Sequence, residues 1–503
     1  MSSVAHVVEV MRVRPEAPPR RALADVADHL GISPSGAAEV TGIALNTGLV
    51  VPGDLYAALP GARSHGADHV AAAVEAGAVA VLTDADGAQR VDTDLPVLVV
   101  DEPRSRLAEL SAWFYDHPAT SMTTFGITGT QGKTTSTYLA EAALAGHRSA
   151  VVGTIGTRIA GVPADSALTT PEAPALQALF AVMREERVEA CAMEVSSHAM
   201  VQGRVDGVVF DVAAFLNLGR DHLDFHGDME EYFLAKAALF TPEHARRGVV
   251  NVDDPYGRRL LDLTPLDVVT FSSEGAAADW RAANVRPHRL GTELEVLGPN
   301  GLELELSVPL PGVFNVSNAL AVVAGLATAG FDATALAAGI AGSTGVPGRM
   351  ERVEAGQEFT AIVDYAHKPD AVVAVLSALR PVTPGRLVIV IGAGGDRDQG
   401  KRPIMGAAAA EHADLVVVTD DNPRTEDAAL IRAEVLRGAA DGPGAAIEVA
   451  GRREAIAHAV ALAHRGDTVV VAGKGHEQGQ EVDGVVHPFD DKAVLRELIE
   501  EHA

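Results

Sequence analysis

The sequence predicts an α/β protein of three domains, and three observations carry that prediction. At 503 residues the chain is too long for one hydrophobic core and suits about three domains of roughly 150 residues each. Short apolar runs of strand length alternate with helical stretches along the whole chain, the pattern of helices packed on parallel sheets. Those runs end in clusters of polar residues, as strands of open parallel sheets do where they border a ligand crevice.

The first segment, residues 1–123, holds strand-like runs at Ala78–Leu82 and Val97–Val100. It closes in His117-Pro118-Ala119-Thr120-Ser121, whose polar residues and proline read as a linker. The second, 124–348, has expected strands at Thr124–Thr128, Ala190–Met193 and Val208–Leu216 and ends at the turn Gly345-Val346-Pro347-Gly348. The third, 349–503, has them at Leu387–Ile391, Leu415–Thr419 and Thr468–Ala472. Two sheets, each with a polar edge, are expected to face one cleft.

Composition narrows the function. Hydrophobic residues at 47% and charged residues at 21% are those of a globular chain. The weakly polar run Ala319–Gly330 is too short to cross a bilayer, and Met1–Arg21 places His, Glu and Arg where a signal peptide needs an apolar core. The expectation is a soluble, cytoplasmic protein. The single cysteine, Cys191, cannot form an internal disulfide or a multi-cysteine metal site, and its apolar surroundings read as a buried thiol. A net charge of −28 has the wrong sign for a nucleic-acid backbone, so an anionic substrate has to be held by local donors. Of 40 basic residues only six are lysine (Lys133, Lys236, Lys368, Lys401, Lys474, Lys492), which hints that a compact primary amine is required where one survives.

The stretch Phe125-Gly126-Ile127-Thr128-Gly129-Thr130-Gln131-Gly132-Lys133-Thr134-Thr135 follows a strand and opens a helix. Its glycines let backbone N–H groups turn toward phosphate oxygens, and Lys133 and Thr134 suit phosphates and Mg²⁺. The standard spacing fails, because Ile127 stands where the first glycine belongs. After the next strand comes Glu194, in Met193-Glu194-Val195-Ser196-Ser197-His198, a hard oxygen ligand of the kind Mg²⁺ takes. By residue type alone Asp221 and Asp224 read as helix caps, Thr169-Thr170 before Pro171 reads as capping, and Lys236 reads as a solvated helix residue. In the last segment Gly394–Pro403, Asp420–Arg424 and Gly473–Glu477 put charged residues after three strands, and their recurrence at one sheet end favours a pocket for a zwitterion.

Taken together these motifs resemble those of the Mur ligases and their folylpolyglutamate synthetase relatives, over nearly the whole chain and most strongly from Phe125 to Glu477. The resemblance implies an N-terminal uridine-binding domain, a central P-loop ATPase-like domain and a C-terminal Rossmann-like domain. It implies ATP bound by Gly129, Thr130, Gln131, Gly132, Lys133, Thr134 and Thr135, with Asn318, Arg349 and Asp364, and Mg²⁺ held by Thr134, Glu194 and His222. Lys236 is expected to be carbamylated by CO₂, and Lys133, Lys236, Glu194 and His222 to form the catalytic set. The UDP-muramoyl substrate is assigned to Leu45, Thr47, Thr169, Thr170, Ser196, Gln202 and Arg204. The incoming amino acid is assigned to Arg397, Asp421, Asn422, Pro423, Arg424, Gly473 and Glu477, in which the arginine of Asp421-Asn422-Pro423-Arg424 meets a distal carboxylate.

The implied activity is ATP-dependent ligation of meso-2,6-diaminopimelate to UDP-N-acetylmuramoyl-L-alanyl-D-glutamate through an acyl phosphate, in peptidoglycan synthesis. A monomer without nucleic-acid or membrane partners is expected. Three departures stand out: Gln131 where the family usually has Asn, Asn46-Thr47-Gly48 where Asp-Ser-Arg is common, and Lys368 where Thr follows Asp364-Tyr365-Ala366-His367. Two rival functions share parts of the pattern. A folylpolyglutamate synthetase-like ligase should lack the Asp421–Arg424 cluster and a uridine-type first segment; a non-ligase nucleotide-dependent binding protein would need no amino acid.

Overall fold

The computed structural model describes residues 10–33, 36–61, 64–166 and 168–502. The portion Met1–Glu9 of the leader-peptide reading lies outside the described residues. Packing divides the chain into two compact units, Met1–Trp280 with Ala321–Leu336, and Arg281–Leu320 with Ala337–Ala503.

The first unit carries two main sheets besides a short antiparallel pair, Arg21–Ala22 with Glu39–Val40. The smaller is a parallel set in the order β1 (Gly42–Ala44), β2 (Asp54–Ala57), β3 (Ala80–Thr83), β4 (Val97–Val99). Both faces are apolar, as parallel strands require: Leu55, Leu82 and Leu98 pack with Leu107, Leu110 and Phe114 of α1 (Pro103–Phe114), while Tyr56 and Val81 face a second cluster. The stretch expected to be a linker is instead packed. Pro118–Ser121 forms a 3₁₀ turn with Pro118 and Ala119 buried, because the proline at its start fixes φ for a helical turn and apolar surface is within reach.

The larger sheet contains β5 (Thr123–Thr128), β6 (Ser149–Gly153), the hairpin β7 (Gly156–Ile159) and β8 (Val162–Ala164), β9 (Ala190–Glu194), β10 (Phe210–Phe215), β11 (Ala245–Asn251) and β12 (Asp267–Ser272). Their order is β8-β7-β6-β9-β5-β10-β11-β12, parallel from β6 to β12. β5 is therefore flanked by β9 and β10, which brings Thr128, Glu194 and Phe215 to one sheet end. Cys191 lies 1% exposed in the core beneath, and burial pushes its thiol up to about 12, the behaviour of an inert structural cysteine.

The second unit takes in, from Arg281 onward, an antiparallel meander of β13 (Trp280–His288), β14 (Gly291–Leu297) and β15 (Glu303–Val308). Its main sheet holds β16 (Glu351–Arg352), β17 (Thr360–Asp364), β18 (Leu387–Ile391), β19 (Leu415–Val418), β20 (Ala445–Glu448) and β21 (Thr468–Ala472), in the order β16-β17-β21-β18-β19-β20. All but β16 are parallel. The runs Leu387–Ile391 and Thr468–Ala472 are buried throughout, so their valines and isoleucines cover both faces. Strand ends fell within two residues of expectation, with Val208–Leu216 shortened to Phe210–Phe215.

Helices α2 (Lys401–His412) and α3 (Ala428–Ala439) approach each other through glycine. A methyl group at Gly438 would overlap the Pro403 carbonyl, and one at Gly406 the Val435 carbonyl. Gly438→Ala is expected to destabilise the protein by about 2 kcal/mol in urea titrations, the cost of overpacking. A midpoint and slope equal to those of the wild type would show that the helices separate freely. Among the described residues, no helix is long and apolar enough to cross a membrane.

Candidate active site

The loop after β5 turns into helix Lys133–Ala143 through Gly132, at φ 88°. Two ammonium groups meet on one carbonyl there: Lys133 Nζ donates to Gly129 O at 2.8 Å and Lys236 Nζ donates to the same oxygen at 3.0 Å. Lys133 also reaches Thr130 O at 3.3 Å. The residue-type reading of Lys236 as solvated is overturned. It is 1% exposed on helix Met229–Ala237, with Nζ 4.8 Å from the Tyr232 ring centre one turn earlier.

Side chains from elsewhere brace the same loop. Asn217, just past β10, accepts from Gln131 N at 2.9 Å and donates to Gln131 O at 3.2 Å. The Thr130 hydroxyl accepts from Gly219 N at 2.9 Å and lies 3.1 Å from the Tyr232 hydroxyl. It is the backbone of Gln131 that is clamped, so the change from the family's usual Asn leaves the loop's support intact. Nothing in the residue type of Asn217 or Tyr232 marked them as loop supports.

Glu194 ends β9 at 1% exposure, its carboxylate accepting from Thr154 N (2.8 Å) and the Thr154 hydroxyl (3.1 Å). Thr154 was missed, although it stands just past strand β6 at the sheet end where Glu194 closes β9. A carboxylate and the Thr134 hydroxyl at a helix start are hard oxygen donors and suit Mg²⁺, which completes its shell with substrate phosphate and water. The described residues include no cluster of three or more His, Cys, Asp or Glu able to hold a metal. His222 adopts φ 50°, with Nε2 3.2 Å from Asp221 Oδ2 and its ring edge-on to His198 at 4.8 Å. Burial lowers the pKa of His198, with Arg204 adding to the effect. Asp221 accepts from the adjoining His222 N–H at 2.9 Å, and His222 itself occupies the helix-cap position assigned to an aspartate.

The residues assigned to the UDP substrate largely converge. Thr170 donates from its hydroxyl to Glu194 O (2.7 Å) and accepts from Ser196 N (3.1 Å). Thr169 and Thr154 hydroxyls are 3.0 Å apart. The capping reading of these threonines is therefore wrong: the following helix, Ala173–Glu185, starts after Glu172 without a side-chain cap, because strand ends compete for the hydroxyls. Arg204 donates to Thr170 O (3.0 Å) and Gln202 Oε1 (2.6 Å) and pairs with Glu172 at 3.0 Å; Glu172 also meets Arg104 of α1 at 3.3 Å. Leu45 and Thr47 stand apart from this network, after β1, where Asn46 Oδ1 accepts from Gly48 N at 2.9 Å.

In the second unit, Asp364 ends β17 and accepts from Met350 N (2.7 Å) and Ala366 N (2.8 Å). Burial raises its pKa against the pull of Arg349, whose guanidinium lies 4.1 Å from the Tyr365 ring centre. Asn318 is buried and donates to Asn315 Oδ1 at 3.2 Å. Lys368 precedes helix Pro369–Leu379 at its cap position, and Lys401 Nζ donates to His367 O at 3.1 Å. Burial, aided by both lysines, pushes the His367 imidazole down to about 4.

The loops after β19 and β21 interlock. Asn422 Oδ1 accepts from Lys474 Nζ and from Glu481 N, each at 3.0 Å, and its Nδ2 donates to Glu477 Oε2 at 3.0 Å. Lys474 closes the triangle by pairing with Glu477 Oε2 at 3.1 Å. Arg424, at φ 52°, donates from Nε to Glu481 Oε2 (3.1 Å) and from Nη1 to Gly395 O (2.7 Å). Gly473, at φ 117°, passes so near Asp421 that a Cβ would stand 2.5 Å from Oδ2, an oxygen buried without a hydrogen-bond partner. Gly395 likewise leaves no room for a side chain beside Pro423 O. Arg397 is exposed and borders the cluster across Gly394, whose missing side chain leaves space beside Arg424. Glu481 was not foreseen; it lies on the hairpin strand Gly479–Val482, and only pairing across that strand reveals it.

A glycine turn that opens a helix from a strand end, beside a buried strand-end carboxylate, is the arrangement of phosphate-loop enzymes that transfer a phosphoryl group from a nucleotide. Three family models match in chain order: "Mur ligase family, catalytic domain" over 39–115, "Mur ligase middle domain" over 127–326 and "Mur ligase, glutamate ligase domain" over 348–475. The chain belongs to the Mur ligase family and is an ATP-dependent ligase.

A UDP-N-acetylmuramoyl-L-alanyl-D-glutamate--2,6-diaminopimelate ligase of Streptomyces avermitilis is 55% identical over 498 residues, 96% of this chain and 98% of its own. A solved structure of a ligase of that name matches with TM-score 0.65 at 33% identity, covering 92% of this chain and 95% of its own. Folylpolyglutamate synthase of Mycobacterium tuberculosis complexed with ADP shares the fold at TM-score 0.61 and 21% identity, over 74% of this chain and 92% of its own.

Proposed function

We propose that the chain joins meso-2,6-diaminopimelate to the D-glutamyl side-chain carboxylate of UDP-N-acetylmuramoyl-L-alanyl-D-glutamate, driven by ATP, in peptidoglycan synthesis. The observation that carries the amino-acid assignment is the interlocked cluster of Asp421, Asn422, Arg424 and Glu477. Diaminopimelate has a second amine and carboxylate at its far end, so its pocket needs one more anion and one more cation than a small neutral side chain would. The relative that is 55% identical along nearly the whole chain supports the same substrates.

The mechanism follows from the residues. Loop N–H groups and Lys133 hold the ATP phosphates, and Arg349, Asp364 and Asn318 serve the rest of the nucleotide. Thr134 would hold one Mg²⁺ and Glu194 with His222 a second, and Mg²⁺ supplies neutralisation of phosphoryl charge when bound. The substrate carboxylate oxygen attacks the γ-phosphorus and ADP leaves, giving an acyl phosphate. The diaminopimelate nitrogen then attacks the acyl carbon, inorganic phosphate leaves and the amine loses a proton. Thr169, Thr170, Ser196, Gln202 and Arg204, with Leu45 and Thr47, orient the UDP substrate, and Arg397, Pro423 and Gly473 complete the amino-acid pocket. Lys236 acts as its carbamate, an anion beside the phosphate loop. We divide the work among residues 1–123 for uridine, 124–348 for ATP and 349–503 for the amino acid. We read the protein as a monomer that acts in the cytoplasm, where ATP is available.

The test is phosphate release with the UDP-muramoyl dipeptide, alone and with diaminopimelate, lysine or glutamate. Release that depends on diaminopimelate is expected. Dependence on glutamate would favour the folylpolyglutamate synthetase-like alternative, which the family match over 39–115 already disfavours. Release without any amino acid would favour a nucleotide-operated switch. Within this assay Arg424→Ala is expected to raise the KM for diaminopimelate by about 10- to 100-fold, the worth of a charge-assisted hydrogen bond, without altering the KM for the UDP substrate. An unaltered diaminopimelate KM would remove Arg424 from the pocket.

A further inference from the structure

We infer that Lys474 is a positioning residue whose ammonium group fixes which way Asn422 and Glu477 face, and so sets the enzyme's selection of a doubly charged amino acid. The inference rests on the ligase reading above. Lys474 is the one lysine flagged by the arginine-rich composition that is 0% exposed, and the proposed reaction gives it no task. It stands between Gly473 (φ 117°) and Gly475 (φ 56°), a backbone path that turns the side chain inward off the end of β21.

A buried cation is costly unless paired, and Lys474 is satisfied by Asn422 Oδ1 at 3.0 Å and Glu477 Oε2 at 3.1 Å. The consequence falls on the amide. Both Lys474 Nζ and the Glu481 N–H are donors only, so the Asn422 atom facing them has to be oxygen, and the NH₂ is turned the other way to Glu477. Without the ammonium group only one donor holds that orientation. The amide can then rotate and exchange donor for acceptor where a substrate carboxylate is to be read. Glu477 would lose the cation that draws Oε2 inward, and with it the direction of the whole carboxylate. An arginine fork is longer and planar and cannot close the same three-membered set, which accounts for a lysine here in a chain that otherwise prefers arginine.

The test uses the full-length enzyme. Lys474→Met is expected to raise the KM for meso-diaminopimelate about tenfold or more, with the KM values for ATP and the UDP substrate within about twofold of wild type and kcat within about threefold. Combining it with Glu477→Gln should worsen the diaminopimelate KM by no more than about twofold beyond the larger single effect, because both act through one pair. A folded Lys474→Met enzyme with an unchanged diaminopimelate KM, or with all three KM values raised alike, would overturn the inference, as would multiplicative effects in the double variant. Should the methionine variant not fold, Lys474→Arg keeps the charge and carries the same test: a raised diaminopimelate KM is expected, and an unchanged one overturns the inference. Wild-type enzyme that releases no phosphate with diaminopimelate would sink the ligase reading itself, a result separate from any of these.

Discussion

Lys133→Ala is expected to cut amino-acid-dependent phosphate release by at least about 10³-fold, equivalent to about 4 kcal/mol of transition-state stabilisation. Phosphoryl transfer leaves the protein little covalent work, so the rate depends on charge placed where it develops and on alignment. Lys133 is a cation at the phosphate loop, held at the helix start by Gly129 O and Thr130 O, and a methyl group can neither neutralise nor align. Those two hydrogen bonds join a side chain to its own local loop, and the melting temperature of the variant separates lost chemistry from lost folding. Near-normal turnover in a purified assay would refute the role of Lys133, whereas a large fall in melting temperature would mean that folding, not chemistry, had been lost.

Lys236→Ala is expected to be similarly inactive and to regain part of its rate with formate or acetate. The reason lies in the crowding of Gly129 O, where two ammonium groups share one acceptor. Like charges in a buried place repel, and conversion of the Lys236 amine to a carbamate exchanges that repulsion for attraction to Lys133. Only a neutral primary amine captures CO₂, so arginine could not serve. A short carboxylic acid entering the space left by the side chain would replace the anion without the amine. An active alanine variant, indifferent to CO₂ and to added acid, would dispose of carbamylation.

The phosphate loop was legible because everything it needs is local. Strand, glycine turn, Lys133 and helix follow one another within a dozen or so positions, and the backbone conformation that turns N–H groups toward phosphate is set by neighbours in sequence. Glu194 was legible for a similar reason, as an acid at the end of an apolar run. The Asp421–Glu477 cluster was legible only as three charged loops at one sheet end; which atom faces which was not. Lys236 shows the limit from the other side. Its helix has an ordinary surface pattern, and by residue type it belonged in solvent.

What the sequence by itself determined is the alternation of strands and helices, the places where glycine and proline break them, and which polar residues stand at strand ends. Those follow from periodicity and from backbone freedom, both properties of short windows. Only the tertiary structure decided that Lys236 is buried against a carbonyl 107 positions away, that Thr170 braces Glu194 instead of capping a helix, and that Asn422 turns its oxygen to Lys474. Burial and hydrogen-bond direction depend on which strand lies beside which, and β5 between β9 and β10, or β21 between β17 and β18, is an order settled by packing of the whole sheet.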